Sequence, residues 1–194
     1  MLSNKVATLI DGDRLEQAEK VLNIAEEMAK KNRILFAPLL TNKGIVFIKK
    51  TEYRRAEEVM QTALSNTDPE NLLEFAAVNF ALGKLMFETQ RYEKAVDFFK
   101  TALTADRLIG FNKSIADDLD AIGSAYLKLE KDELAINFLK RCVEIYALMG
   151  NHKKVQNIME KLEKASEKTG IDLTITKHFI NRWLEGKVLE SICE

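Results

Sequence analysis

Few side chains in this chain are of the types that do chemistry, and their spacing decides what each could do. His152 and His178 stand apart from each other and from any apparent partner. No glycine-rich phosphate loop and no nucleophile elbow accompanies them, so no acid–base or nucleophilic constellation is in view and no enzyme is expected. Cys142 and Cys193 lack the C-x-x-C type of spacing that a zinc site or a disulfide framework would show. Asp117, Asp118 and Asp120 form an acidic cluster, with Asp117 and Asp120 three apart on one helical face. Such charge suits the first turn of a helix or a partner-facing surface, and with no histidine beside it a metal site is not expected. The expectation is no cofactor and no metal.

Other residues could recognise rather than react. Phe80 and Phe87 lie seven apart with Lys84 between them, a spacing that puts two aromatic rings and a cation on one side of a helix. As a surface this would seat an apolar side chain and pair with a carboxylate or phosphate; as an interior face the same spacing is ordinary helix core. The basic runs Lys30-Lys31-Asn32-Arg33 and His152-Lys153-Lys154 are short and sit near helix ends. Acidic side chains (30) and basic ones (29) are mixed along the 194 residues, for a net charge of −1. Nucleic-acid binding would need a larger basic stripe. Nowhere do 18 apolar residues follow one another, so no membrane insertion is expected, and a cytoplasmic chain is the default reading.

The elements that would carry these residues are helices. Only two prolines and eight glycines occur, and 46% of the chain is hydrophobic. Ala18, Ala56, Ala95 and Ala135 recur at intervals of 38, 39 and 40 residues. A large apolar residue follows each by four (Leu22, Met60, Phe99, Leu139) and a small one by seven (Ala25, Ala63, Ala102, Cys142). Gly44, Gly83 and Gly123 stand twelve residues before the last three alanines. Cys142 therefore reads as a small core residue in an alanine slot, and Cys193 as incidental. Between glycine and alanine lie the polar triplets Lys50-Thr51-Glu52, Thr89-Gln90-Arg91 and Glu130-Lys131-Asp132, with Asp11-Gly12-Asp13 upstream. Apolar residues at helical spacing flank each triplet, so every unit is a helical hairpin in which glycine is expected to meet alanine at the crossing. Helices are expected at about 2–10, 13–31, 35–50, 53–66, 69–89, 92–106, 111–129, 132–149, 151–169 and 174–190, with Asp68-Pro69 opening the fifth.

Leu82-Gly83-x₂-Met86, Tyr92, Ala95-x₃-Phe99 and Ala102 resemble the tetratricopeptide repeat, as do Ile122-Gly123-x₂-Tyr126 with Ala135-x₃-Leu139 and Lys43-Gly44-x₂-Phe47 with Tyr53 and Ala56-x₃-Met60. The spacing exceeds the common 34 residues and the closing proline is missing at Arg107 and Leu148, which is similar to the long-period variety of about 40 residues. The resemblance implies an all-α, right-handed superhelical solenoid of antiparallel hairpins, about ten helices in all. The repeat domain would span 1–172, with hairpins at about 2–31, 35–66, 69–106 and 111–149 and a capping segment at 151–172. Residues 173–194 would form a C-terminal amphipathic helix that caps the solenoid or, alternatively, makes an interaction or homodimer contact through Phe179 and Trp183.

The same resemblance assigns binding to the concave face, lined by the first helix of each hairpin. By phase its exposed positions would include Thr41, Asn42, Ile45, Ile48 and Lys49, then Ala77, Phe80, Ala81, Lys84 and Phe87, then Asp117, Asp120, Ala121, Ser124 and Lys128. Thr41, Ile45, Ala81, Asp117 and Ala121 replace the Lys, Asn and Arg of a chaperone-tail carboxylate clamp, so that use of the fold is not expected. The function expected is a non-catalytic scaffold or adaptor that binds another protein or a peptide. The alternative is a peptide-responsive regulator similar to bacterial sensors of this family, or the repeat part of a larger signalling protein, since the first unit is truncated.

Overall fold

A computed structural model describes residues 6, 8–10, 12–31 and 37–186. Among them every regular element is helical. Nine helices follow in order: α1 (Leu15–Lys31), α2 (Ala37–Lys49), α3 (Tyr53–Ser65), α4 (Leu72–Glu88), α5 (Tyr92–Ile109), α6 (Asn112–Lys128), α7 (Asp132–Leu148), α8 (His152–Thr169) and α9 (Thr174–Leu184). Val6 and residues 8–10 are helical as well. Asn32-Arg33, the expected helical residues 187–190 and Cys193 lie outside the described residues. The chain divides into two compact units, residues 1–109 and 110–194.

In the first unit α2 pairs with α3 and α4 with α5, while α2 also packs on α1 and α4 on both α2 and α3. Val6, Leu9 and Ile10 close the N-terminal end by packing with Ala18, Leu22 and Val46. In the second unit α6 pairs with α7, and α7 carries both α8 and α9. The C-terminal helix thus sits on the second helix of the preceding hairpin, anchored by buried Leu173 and Ile180.

Each hairpin turn is made the same way. Thr51 donates its N–H to Ile48 and Glu52 to Phe47; Gln90 and Arg91 repeat the pair on Phe87 and Met86, and Glu130 and Lys131 on Leu127 and Tyr126. This is the helix stop in which one left-handed residue lets two amides cap the last carbonyls. The residue taking that conformation is Thr51, Gln90 or Glu130, at φ of 60°, 60° and 56°, and Asp13 at 54° upstream. After α7 the residue in that conformation is a glycine, Gly150.

The crossing itself differs from the expectation that glycine meets alanine. A Cβ placed on Gly44 would lie 2.5 Å from Cγ of Met60, on Gly83 2.5 Å from Cδ1 of Phe99, and on Gly123 2.6 Å from Cγ of Leu139. Glycine therefore receives the large residue four positions after each alanine, and the alanine, fully buried in every unit, lets the helices close around that contact. A second correction falls on Asp68-Pro69. Here Asp68 Oδ1 accepts from the Glu70 amide in a turn, and α4 starts later, at Leu72, because Asn71 is its cap: Asn71 Oδ1 accepts from the Glu74 amide. Pro38 does sit in the first turn of its helix, where its missing N–H has no partner to lose.

Candidate functional site

The packing of α2 and α4 sorts the expected surface residues of the first unit. Thr41, Ile48 and Ala81 are buried, the Thr41 hydroxyl donating to the Ala37 carbonyl at 2.9 Å, so these three serve the interior. Ile45 is half-buried against the N-terminal core cluster. Asn42 is half-buried, and Lys49 is exposed with its ammonium 3.6 Å from Asp13. Phe80 is half-buried, its ring tilted 5.5 Å from that of Phe99, so one side supports the crossing at Gly83. Lys84 is exposed and lies 5.9 Å from the Phe80 ring centre, close enough for a cation–π contact. Among the described residues its ammonium makes no ion pair. Phe87 is half-buried and meets Tyr92 edge-on at 5.4 Å. The result is a helix face of two partly exposed rings around a cation that no carboxylate among the described residues neutralises.

The equivalent face of the second unit is built differently. Asp117 Oδ1 accepts from the Tyr146 hydroxyl at 2.5 Å and from the Lys154 ammonium at 3.2 Å, while Oδ2 accepts from Lys113 at 2.7 Å. Asp120 Oδ1 accepts from Lys161 at 2.5 Å and from the Ser124 hydroxyl at 3.3 Å, and Lys161 also donates to Ser124 at 2.9 Å. Lys154 and Lys161 are seven apart on α8, so two turns of α8 are tied to α6 through Asp117, Asp120 and Ser124. Burial alone would raise the Asp117 carboxyl, but the bonds from Lys113 and Tyr146 with the charges of Lys113 and Lys154 outweigh it and hold the group below the usual aspartate value. Burial, then the bond to Asp117, pushes the Tyr146 phenol up. Lys128 is exposed and stands outside this network. The expected acidic surface is thus a helix-docking staple. Of its partners Lys113, Tyr146, Lys154 and Lys161, only Lys154 was legible in the sequence, as part of a basic run near a helix end.

The remaining candidates are scattered. Cys142 is buried and its thiol donates to the Ala116 carbonyl at 3.1 Å; burial pushes the thiol up, away from a reactive thiolate. His152 and His178 are both exposed, and His178 meets Phe179 edge-on. Phe179 and Trp183 stack at 5.9 Å, both half-buried, on the helix that also exposes Ile175. No group of three or more potential metal ligands occurs among the described residues. A groove in the first unit, floored by α4 between α3 and α5, is spanned at its rim by Arg91, which holds Glu57 through two bonds of 2.9 and 3.0 Å. The bond from Arg91 is the main reason the Glu57 carboxyl lies below its usual value.

Hairpins of near-constant length, each closed by a small-residue crossing and stacked on its neighbours within a unit, define an all-α helical-repeat protein. Residues 74–148, from Glu74 in α4 to the end of α7, match the tetratricopeptide repeat, so this stretch is built of tetratricopeptide repeats. The chain has the fold of PilF of Pseudomonas aeruginosa: 98% of this chain aligns with 76% of that one at a TM-score of 0.69 and 16% identity. It is likewise similar in fold to MamA of AMB-1, with 90% of this chain and 94% of that one covered at a TM-score of 0.52 and 19% identity. No curated protein sequence matches the chain significantly. Among the described residues no helix is long and apolar enough to cross a membrane.

Proposed function

We propose that the chain is a non-catalytic scaffold that binds a segment of another protein on the face formed by the first helices of its hairpins, the concave face expected of such repeats. The observation that carries this reading is the contrast between the two units. In the second, Asp117 and Asp120 are consumed by Lys113, Lys154, Lys161 and Tyr146, leaving Lys128 as the exposed charge, with no aromatic contact beside it among the described residues. In the first, Lys84 stands exposed beside the half-buried rings of Phe80 and Phe87. Desolvating a cation beside aromatic surface favours a partner with a carboxylate next to an apolar side chain. Asn42 and Lys49 on α2 would add polar contacts. Because Phe80 is already held against Phe99, little ordering of the scaffold is required on binding.

The test is affinity capture with the full chain as bait, followed by a direct titration of the captured partner. Lys84→Glu reverses the charge at an exposed position and should weaken binding by about 10-fold or more, the scale of one lost charge-assisted contact. Full-strength binding by Lys84→Glu and by Phe80→Glu would remove this face from consideration.

A further inference from the structure

Four residues before each helix-crossing glycine stand Leu40, Asn79 and Leu119. All three are buried, at 5%, 3% and 0% exposure. Two are core leucines, and the third replaces the isobutyl group with a carboxamide of the same branching. Asn79 lines the groove of about 530 Å³ that opens over α4 between α3 and α5, on a different face from the one proposed above. Its amide nitrogen donates to the Phe75 carbonyl at 2.8 Å. A carbonyl can only accept, so that bond settles which amide atom is nitrogen and leaves Oδ1 and one N–H without a partner among the described residues.

An acceptor and a donor side by side match the N–H and C=O of one residue of an extended chain, which point to the same side. Around Asn79 the groove is apolar, with Leu82 and Met86 from the same helix, Leu64 from α3 and Phe98 from α5. Its charged rim sums to zero, since Glu57 and Asp97 oppose Arg91 and Lys94. The volume lies within the range of ligand sites, about 300–1,000 Å³. We propose that this groove binds an extended, uncharged stretch of a partner protein. The main chain of that stretch pairs with the Asn79 amide, and an apolar side chain enters between Leu64, Leu82, Met86 and Phe98. The site does not depend on the reading of the Lys84 face.

The probe is a random peptide library displayed on phage and selected on the intact chain, the best sequences being remade as labelled peptides and titrated by fluorescence anisotropy. Asn79→Leu installs the residue that the neighbouring units carry. It should raise the urea midpoint and weaken peptide binding at least 10-fold. Gln61→Trp, at an exposed position on the groove rim, should weaken binding similarly without altering the fold, whereas Lys84→Glu should leave it within about twofold, a difference of less than half a kcal/mol. Three results would each overturn the proposal: a lowered urea midpoint for Asn79→Leu, which would make the amide a structural cap; selected peptides that ignore both Asn79→Leu and Gln61→Trp; or selected peptides lost on Lys84→Glu alone.

Discussion

Replacing Gly83 by alanine should destabilise the first unit, although alanine is the better helix former. A Cβ at residue 83 would lie 2.5 Å from both Cδ1 and Cε1 of Phe99. Carbon atoms pack best at about 3.5–4.0 Å, so the ring must retreat by roughly 1 Å. It has nowhere to go, because Phe99 is 2% exposed and Phe80 lies 5.5 Å from it on one side. Overpacking of this kind costs about 1–3 kcal/mol, and the propensity gain from glycine to alanine returns about 1 kcal/mol. With the ring blocked the upper half of that range applies, giving a net loss of about 1–2 kcal/mol. At a slope of about 2 kcal/mol per molar urea the midpoint falls by roughly 0.5–1 M. In a Phe99→Ala background the obstacle is gone and the same Gly83→Ala change should stabilise by about 1 kcal/mol. The sign reversal in a double-mutant cycle followed by circular dichroism is the diagnostic result. If Gly83→Ala shifts stability in the same direction in both backgrounds, glycine is not there to receive the ring. Gly44→Ala, which meets the flexible Met60 side chain, should cost less than Gly83→Ala.

The turns and the acidic staple give two further expectations. Thr51 holds φ of 60° in the left-handed region, where a β-branched residue is strained by about 1–2 kcal/mol. Glycine relieves that strain but gains freedom in the unfolded chain, so Thr51→Gly should stabilise by a net of about 0.5–1 kcal/mol, and a lowered urea midpoint would contradict the turn geometry. Asp117 has a folded pKa below its unfolded value of 3.8, so the folded chain binds fewer protons there. Its contribution is complete above that unfolded value and disappears as pH falls through the lower folded one. Midpoints measured from pH 6 to pH 2 should therefore drop at the acid end, less steeply in Asp117→Asn. Tyr146→Phe, which removes one of the bonds lowering the carboxyl, should also flatten the slope; an unchanged acid limb in both variants would show that the staple does not bear on stability.

Much of the architecture was legible because it rests on residues that repeat. Ala56, Ala95 and Ala135 with Gly44, Gly83 and Gly123 set the hairpin phase, and the helix boundaries follow from it to within a few residues. What periodicity could not reveal is which residue touches the glycine, since Ala95 and Phe99 lie on the same helix face one turn apart and both satisfy the spacing. The start of α4 was missed for a related reason: Asp68-Pro69 and Asn71 are each acceptable openings, and only the hydrogen bond from the Glu74 amide selects Asn71. The role of Asp117 and Asp120 was out of reach because it depends on Lys154 and Lys161, 37 and 41 residues away, whose side chains alone look like an ordinary solvated face.

Residues that build the solenoid differ from residues that select a ligand. A position occupied alike in every unit can be explained by packing common to every unit, so it names no ligand. A position that departs from its counterparts has lost that explanation, and the departure is informative in proportion to what it costs the fold. Lys84 in place of Ile45 and Ser124 is a cheap departure, because an exposed side chain disturbs no packing. Asn79 in place of Leu40 and Leu119 costs more, because it exchanges a buried isobutyl group for a carboxamide beside Leu82 and Met86. Leucine there would add apolar burial, whereas the amide bonds the Phe75 carbonyl and leaves its oxygen open to the groove, where a partner's main chain can take the place of water. Asn79→Leu is accordingly the substitution in which stability and binding should move in opposite directions.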